Sequence, residues 1–163
     1  MIQETALRII SRIERLIDEA RYKRYRQRYD IDPSFRFNGR GILLYGEGTI
    51  SLGPKGYIGR FSSIQSREGC VVKIGKCCSI SHYVMIYTEN YVADQDFSRS
   101  RMTKKGNVTI GDYCLVGAHV FIREGVTIGD NVVIGANSVV THDIPSFSIA
   151  AGAPARVVRV KAP

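Results

Sequence analysis

Aliphatic residues recur every six positions through the C-terminal half of the chain. Small or β-branched residues keep the same spacing four positions later. The first series is Ile110, Val116, Ile122, Ile128, Ile134 and Val140, and the second is Cys114, Val120, Val126, Val132 and Ser138. Ile74, Ile80 and Ile86 lie in the same phase, while an earlier run with Ile58 and Ile64 shifts register before residue 74. Neither an amphipathic helix nor an alternating strand has this period, and repeats this short are typical of a β-helix.

Each six-residue unit is predicted to supply one short strand and one corner of a prism. The aliphatic residue points into the prism, and the small residue fills the space beside it. Glycine, asparagine and aspartate suit the corners, where left-handed backbone angles are tolerated. The strands of each coil hydrogen-bond to those of the next coil, as in other stacked repeats. We therefore predict an all-β domain over residues 33–163, built as a parallel β-helix.

An amphipathic helix is predicted before this domain, within a segment that spans residues 1–32. Its apolar face consists of Leu7, Ile10, Ile13, Leu16, Ile17 and Ala20. Asp30, Asp32 and Pro33 end the segment. The helix either covers the open end of the β-helix, where strand edges and core would be exposed, or makes a peripheral membrane contact through its basic side.

The six-residue spacing stops between residues 88 and 107. This stretch, which contains ENYVADQDFSRSRMTKKG, is polar, aromatic and charged. A loop of this length that leaves a rigid coil is usually functional. We predict an excursion loop over residues 88–107 and a C-terminal tail over residues 145–163.

The net charge is +8, and much of the basic excess lies in RYKRYRQRY at residues 21–29. The other basic residues are scattered and form no known nucleic-acid-binding pattern, so the charge favours an anionic small molecule over nucleic acid.

No apolar run reaches the roughly 18 residues that span a bilayer, and the N-terminus has no apolar signal core. Cys70, Cys77, Cys78 and Cys114 lack the spacing of a disulfide framework. We interpret them as reduced core residues of a cytoplasmic protein.

The segment VTIGDYCLVGAHVFIREGVTIGDNVVIGANSVVTHDIPSFSIAAGAPARVVRV resembles the C-terminal half of hexapeptide-repeat acyltransferases. The resemblance is nearest to the maltose and galactoside, xenobiotic, and capsule or O-antigen acetyltransferases. It covers roughly residues 40–160 and is most specific in AGAPARVVR after the last coil. The resemblance implies a left-handed parallel β-helix of hexapeptide repeats, a homotrimer, and acetyl-coenzyme A as acyl donor. It also implies that the excursion loop reaches the neighbouring subunit and forms a wall of the active site.

The same resemblance indicates where the donor would bind. Relatives present backbone amides at the corners and basic side chains near the C-terminus. The matching positions are Ala118, Ala136, Thr141, His142, Arg156 and Arg159. Arginine suits phosphate because its planar fork donates two parallel hydrogen bonds. The alternative for Arg156 and Arg159 is plain surface charge.

A column of stacked residues follows from the repeat if the loop leaves after Ile86 and the next coil begins at Ile110. Because the left-handed coil that the resemblance implies has three sides, residues 18 apart then occupy the same corner of consecutive coils. The side shared by Ile80, Val116 and Ile134 is followed by a corner that carries His82, Ala118 and Ala136. This register places one imidazole beside the expected cofactor groove.

His82 is therefore the candidate general base that takes a proton from the acceptor, since histidine titrates near neutral pH. ISHYV also resembles the repeat with the catalytic histidine of UDP-N-acetylglucosamine acyltransferases. Glu89, Asp94 and Asp96 are the acidic side chains that could orient the ring.

The maltose, galactoside and xenobiotic enzymes differ, because their histidine lies just inside the loop. This chain has Glu89, Asn90 and Tyr91 there. Either the base has moved to His82, or the protein is a non-catalytic relative. Tyr91 and His119 are candidate substrate-binding residues. No metal site is predicted, because three imidazoles would have to converge on one ion.

These observations predict an acetyl-coenzyme A-dependent acetyltransferase that acts directly on a sugar hydroxyl, in a surface-polysaccharide precursor. Two alternatives stay open. One is a nucleotide-sugar amine N-acetyltransferase, and the other is a non-catalytic β-helix that binds coenzyme A or a partner protein.

Overall fold

The computed structural model describes residues 2–162, and in these residues one α-helix precedes a series of short strands. The helix is α1 (Ile2–Arg28). Three strands complete each coil of the body. The first three coils contain β1 (Asp30–Ile31), β2 (Arg36–Asn38), β3 (Leu43–Tyr45), β4 (Thr49–Leu52), β5 (Tyr57–Gly59), β6 (Ser63–Gln65), β7 (Val71–Ile74), β8 (Ser79–Ile80) and β9 (Met85–Tyr87).

A β-hairpin then leaves the body, and two further coils follow it. The hairpin is β10 (Glu89–Tyr91) and β11 (Thr103–Lys105), which pair antiparallel. The last two coils contain β12 (Val108–Ile110), β13 (Leu115–Val116), β14 (Phe121–Ile122), β15 (Thr127–Ile128), β16 (Val133–Ile134) and β17 (Val139–Val140). The chain ends in an antiparallel pair, β18 (Ser148–Gly152) and β19 (Ala155–Val160).

The strands of successive coils stack into three parallel sheets. Sheet A has the order β1-β4-β7-β12-β15, sheet B contains β2-β5-β8-β13-β16-β18 with β19 at its edge, and sheet C has the order β3-β6-β9-β14-β17. The prediction of an all-β parallel β-helix after an N-terminal helix is confirmed. The aliphatic series fills the prism, because Ile80, Val116, Ile134 and their equivalents are fully buried.

The corners differ from the sequence-based expectation, since many are occupied by larger residues than glycine or asparagine. The non-glycine residues with φ between 56° and 59° are Lys55, Phe61, Cys77, Tyr83, Tyr113, His119, Asn131, Asn137 and Phe147. This conformation costs about 1–2 kcal/mol for an ordinary residue. A hydrogen bond between coils offsets part of it: the N–H of Tyr83, for example, donates to the carbonyl of Arg60 at 3.0 Å. Cys77 is one of these corner residues and is half-buried, so its assignment to the core was wrong.

The hairpin explains why the six-residue phase survives the interruption. Val72 pairs with Val108, 36 positions later, whereas Thr109 pairs with Thr127, 18 positions later. The excursion therefore adds 18 residues, the length of one coil, and the aliphatic series resumes in phase.

The helix contacts the body through its C-terminal half, and the contact is aromatic. Tyr25 and Tyr29 are buried against Phe35, and the half-buried Tyr22 stacks on Phe37 at 4.5 Å between ring centroids. The predicted apolar face is not used: Leu7, Ile10, Ile13, Leu16 and Ile17 are each more than half exposed. The contact with the first coil is therefore made by the tyrosine side of α1 and not by its aliphatic side. Among the described residues, no helix combines the length and the hydrophobicity needed to span a membrane.

Candidate active site

The corner between sheets B and C carries the predicted column. Ile80 pairs with Val116 and Val116 pairs with Ile134, so the predicted register is confirmed. His82, Ala118 and Ala136 each lie two positions further on. The backbone bonds between coils continue through this corner, where the N–H of His119 donates to the His82 carbonyl at 3.1 Å and the N–H of Asn137 donates to the Ala118 carbonyl at 2.9 Å.

The imidazole of His82 is exposed and rests on the preceding coil. Its Nδ1 accepts the backbone N–H of Arg60 at 3.1 Å. A Cβ at Gly59 would lie 2.5 Å from Nδ1, so the ring occupies space that glycine leaves open. Because the Nδ1 lone pair is taken, the neutral ring carries its proton on Nε2. In this geometry His82 offers a donor to the solvent side and lacks the free lone pair that the predicted general base needs.

The acidic residues expected to orient His82 have other partners. Glu89 pairs with Arg67 at 2.7 Å and accepts the hydroxyl of Thr103 at 2.8 Å. Asp96 accepts the N–H and hydroxyl of Ser98, and these hydrogen bonds lower the pKa of Asp96.

Asp94 is exposed and has no hydrogen bond or ion pair in the part of the chain described. In the described residues no carboxylate contacts the His82 ring, whose tautomer is set by the backbone instead.

His119 belongs to a stack of three rings at the same corner. Its ring lies parallel to that of Tyr83, with 4.7 Å between centroids and 6° between planes. Tyr83 in turn stacks on Phe61 at 5.3 Å. Within the described residues, neither ring nitrogen of His119 has a hydrogen-bond partner. Sequence reasoning missed Phe61 and Tyr83, although both hold the same left-handed corner position as His119.

A buried carboxylate anchors the hairpin to the body. The Glu124 side chain accepts the Asn90 amide at 2.7 Å and the Arg123 Nε–H at 3.0 Å, and it is fully buried. Burial alone would raise the pKa of Glu124, but the hydrogen bonds from Arg123 and Asn90 outweigh it and lower the pKa. The Arg67–Glu89 ion pair gives the hairpin a second attachment.

Glu124 was not found from the sequence, because nothing in the repeat marks it. Tyr91, which was predicted to contact substrate, is exposed on the hairpin and meets the ring of Phe97 edge-on at 5.9 Å.

The residues predicted to bind the cofactor fall into two groups. Ala118 and Ala136 line the corner between sheets B and C, beside His82. At the far edge of sheet C, His142 and Arg156 line one pocket with Asp143, Ile144, Ala155 and Val157. Thr141 lies next to this pocket, and its hydroxyl is 2.8 Å from Nδ1 of His142. Arg159 is exposed on β19 opposite Ile149 and does not line the pocket.

Both groups fit an elongated donor with a phosphate end. The short side chains of Ala118 and Ala136 leave their corner open. Arg156 lines the pocket, and its Nη1 donates to the backbone carbonyl of Ala155 at 2.9 Å. An arginine and a histidine in one pocket suit an anionic group.

The comparison with protein families agrees with the repeat. Residues 106–142 match the family described as bacterial transferase hexapeptide (six repeats). These residues belong to the hexapeptide-repeat transferases. The predicted resemblance is thereby confirmed.

Two curated relatives of this hexapeptide-repeat chain are O-acetyltransferases. The polysialic acid O-acetyltransferase of Escherichia coli O1:K1 / APEC is 36% identical over 122 residues, which are 71% of this chain and 40% of that protein. The galactoside O-acetyltransferase of Escherichia coli (strain K12) is 60% identical over 52 residues, which are 32% of this chain and 26% of that protein. The chain thus spans less than half the length of either relative.

Solved structures share the fold. Galactoside acetyltransferase in complex with coenzyme A has a TM-score of 0.69 and 29% identity, over 80% of this chain and 64% of that one. A mutant of AntD, an N-acyltransferase from Bacillus cereus solved with dTDP and coenzyme A, has a TM-score of 0.66 and 19% identity, over 81% and 80% of the chains. At that identity the likeness to AntD concerns the fold alone.

Proposed function

We propose that the protein transfers an acetyl group from acetyl-coenzyme A to a sugar hydroxyl, in the precursor of a surface polysaccharide. The hexapeptide match and two relatives named as O-acetyltransferases of saccharides support the reaction class. The complex of galactoside acetyltransferase with coenzyme A supports the donor. The observation that carries the proposal is the corner at which His82 and His119 lie beside Ala118 and Ala136.

The proposed reaction is a direct transfer that needs no covalent enzyme intermediate. The acceptor oxygen forms a bond to the thioester carbonyl carbon, the carbon–sulfur bond breaks, and the hydroxyl proton leaves with a base. The thioester supplies the activated acetyl group. The protein has to orient both substrates, accept the proton and stabilise the negative charge that develops on the carbonyl oxygen.

The geometry supports a division of these roles between two imidazoles. His82 has its proton on Nε2 and is suited to donate a hydrogen bond to the developing oxyanion, as neutral imidazoles do in other enzymes. His119 has unoccupied ring nitrogens and is suited to accept the acceptor proton. Stacking against Tyr83 holds the His119 ring in one plane. This proposal replaces the assignment of His82 as the base.

We also propose that the protein is a homotrimer with active sites between subunits. A single prism cannot enclose a long donor, and this one presents apolar side chains on its outer faces. Val71 on sheet A, Leu115 on sheet B, and Leu43 and Met85 on sheet C are between 37% and 46% exposed. Outward apolar residues on every face favour contact between copies.

The test is release of free thiol from acetyl-coenzyme A in the presence of a panel of acceptors. The panel contains neutral sugars, sialic acid polymers, nucleotide sugars and their amino derivatives, and product analysis separates esters from amides. Ester formation on a saccharide supports the proposal. Amide formation would overturn it in favour of N-acetylation, and thermal stabilisation by coenzyme A without any turnover would mark a binding protein.

A further inference from the structure

The N-terminal half of α1 presents an aliphatic stripe to solvent. Ile9, Ile10, Ile13, Leu16 and Ile17 are between 52% and 57% exposed in the described structure. These are large apolar side chains on an ordered element, and together they form a patch of the kind that marks an interaction surface.

The centre of the stripe faces away from the body of the protein. The helix contacts the first coil mainly through Asp18, Tyr22, Tyr25 and Tyr29, and through an ion pair of Glu14 with Arg40. At about 100° per residue, Ile13 lies about 120° to 180° around the helix from these tyrosines. Ile17, at one edge of the stripe, lines a pocket with Gly41 and Phe61. Ile13 at the centre points away from the first coil, so a partner for the rest of the stripe is to be sought outside the described residues.

The helix is also strongly basic. It has eight arginines and lysines and four acidic residues, a net charge of +4. Three of the four acids are already neutralised: Glu14 pairs with Arg40, Asp18 with Arg21 and Glu19 with Arg15. Arg8 and Arg12, beside the stripe, have no ion-pair partner among the described residues. An apolar stripe next to unpaired arginines matches an anionic phospholipid surface.

A second copy of the helix fits the stripe less well. The spacing of a coiled-coil seam holds from Ala6 to Ala20 and is then broken by Arg24. That length is about two heptads, whereas a coiled coil is indicated by three or four. Ile9 and Leu16 lie outside such a seam and widen the stripe, which a narrow helix pair would leave exposed. Like charges would also be brought together, since every copy has the same excess of arginine.

We propose that α1 lies on the surface of an anionic phospholipid membrane, with its aliphatic stripe in the boundary between headgroups and acyl chains. Arg8 and Arg12 contact the lipid phosphates from the edge of the stripe. The tyrosine contacts fix α1 to the first coil, so this end of the prism lies nearest the membrane. The surface is independent of the acetyl-transfer site, which lies further along the prism.

The experiment is flotation of the full-length protein with vesicles of phosphatidylcholine, with and without phosphatidylglycerol. Binding to the anionic vesicles that weakens at high salt is expected. Arg8→Gln with Arg12→Gln should lower the partition coefficient about 30-fold, since each basic residue near such a surface contributes about 1 kcal/mol. Ile9→Ser with Leu16→Ser should lower it at least about 10-fold.

The matched control is Val158→Ser with Val160→Ser, which removes apolar side chains of 64% and 67% exposure from β19. This variant should bind vesicles like the native protein. The proposal is overturned if anionic vesicles do not bind the native protein, or if the helix and control variants bind equally. It is also overturned if the helix variants change only the molar mass in light scattering, which would mark α1 as a contact between copies. Acetyl transfer to a soluble acceptor should be the same in all variants, so this result does not depend on the catalytic proposal.

Discussion

Nδ1 of His82 and the backbone N–H of Arg60 are joined by a hydrogen bond of 3.1 Å between neighbouring coils. The bond leaves Nε2–H as the group that His82 can offer to a substrate. Glutamine has an amide N–H at a similar distance from the backbone, whereas alanine has none. We expect His82→Gln to keep kcat within about 10-fold of the native value and His82→Ala to lose about 100-fold or more, as when one oxyanion donor is removed. Steady-state thiol release measures both, and a glutamine variant as inactive as the alanine variant would show that His82 accepts a proton after all.

Replacement of His119 tests the proposed base. His119→Asn is the suitable change, because Asn131 and Asn137 hold the same left-handed corner conformation. The variant should fold normally and lose about 100-fold to 10,000-fold in kcat. The control is Tyr83→Phe, which keeps the ring that stacks on His119 and should keep most of the turnover. If the asparagine variant is as active as the native protein, the base lies elsewhere.

Arg156 and Arg159 lie on the same strand, β19, but in different surroundings. Arg156 lines the pocket with His142, and Arg159 does not. Arg156→Ala is expected to weaken coenzyme A binding about 10-fold, which is about 1.4 kcal/mol, through the loss of charge-assisted phosphate contacts. Arg159→Ala serves as the matched control and should change the affinity much less. Titration calorimetry with coenzyme A decides the matter, and equal affinities for the two variants would show that this pocket does not hold the phosphates.

Glu124 gives the protein a stability that depends on pH. Its pKa is lowered in the folded state, so the unfolded chain binds the proton more readily and the carboxylate stabilises the fold above the unfolded value of about 4.3. That contribution is lost as pH falls through the folded pKa. Glu124→Gln should lower the free energy of unfolding at pH 7 by about 1–3 kcal/mol, and the difference from the native protein should shrink below about pH 4.

Denaturant unfolding at pH 7 and pH 3 measures both quantities. Asn90→Ala removes only one of the two donors and should have the smaller effect at pH 7. A constant difference between the glutamine variant and the native protein at the two pH values would contradict this account.

The column of His82, Ala118 and Ala136 could be predicted from the sequence because the repeat leaves little freedom. Aliphatic side chains fill the prism at fixed intervals, and the hydrogen bonds between coils hold each position over the previous one. The insertion has 18 residues, the length of one coil, so it did not disturb the six-residue phase of the aliphatic positions. Counting in sixes was therefore enough to stack residues that lie 54 positions apart.

The state of the His82 ring could not be predicted in this way. It depends on the backbone N–H of Arg60, in an earlier coil where the repeat is longer and its register uncertain. The direction of the α1 stripe was missed for a related reason. An amphipathic pattern shows that one side of a helix is apolar, but the tyrosines near its C-terminus decide which side meets the body. Tyr22, Tyr25 and Tyr29 keep the spacing of one helix face, but the sequence does not say whether this aromatic face or the aliphatic one meets the body.

The hairpin begins and ends at almost the same point. The N–H of Gly106 donates to the carbonyl of Thr88 at 3.0 Å, and Thr88 is itself fully buried in the wall of the prism. The coils before and after these residues stack on each other as they would without the excursion. The segment between Thr88 and Gly106 is consequently an insertion between two coils that pair directly with each other. We therefore expect that the length and sequence of this insert can change without altering the stacking of the coils on either side of it.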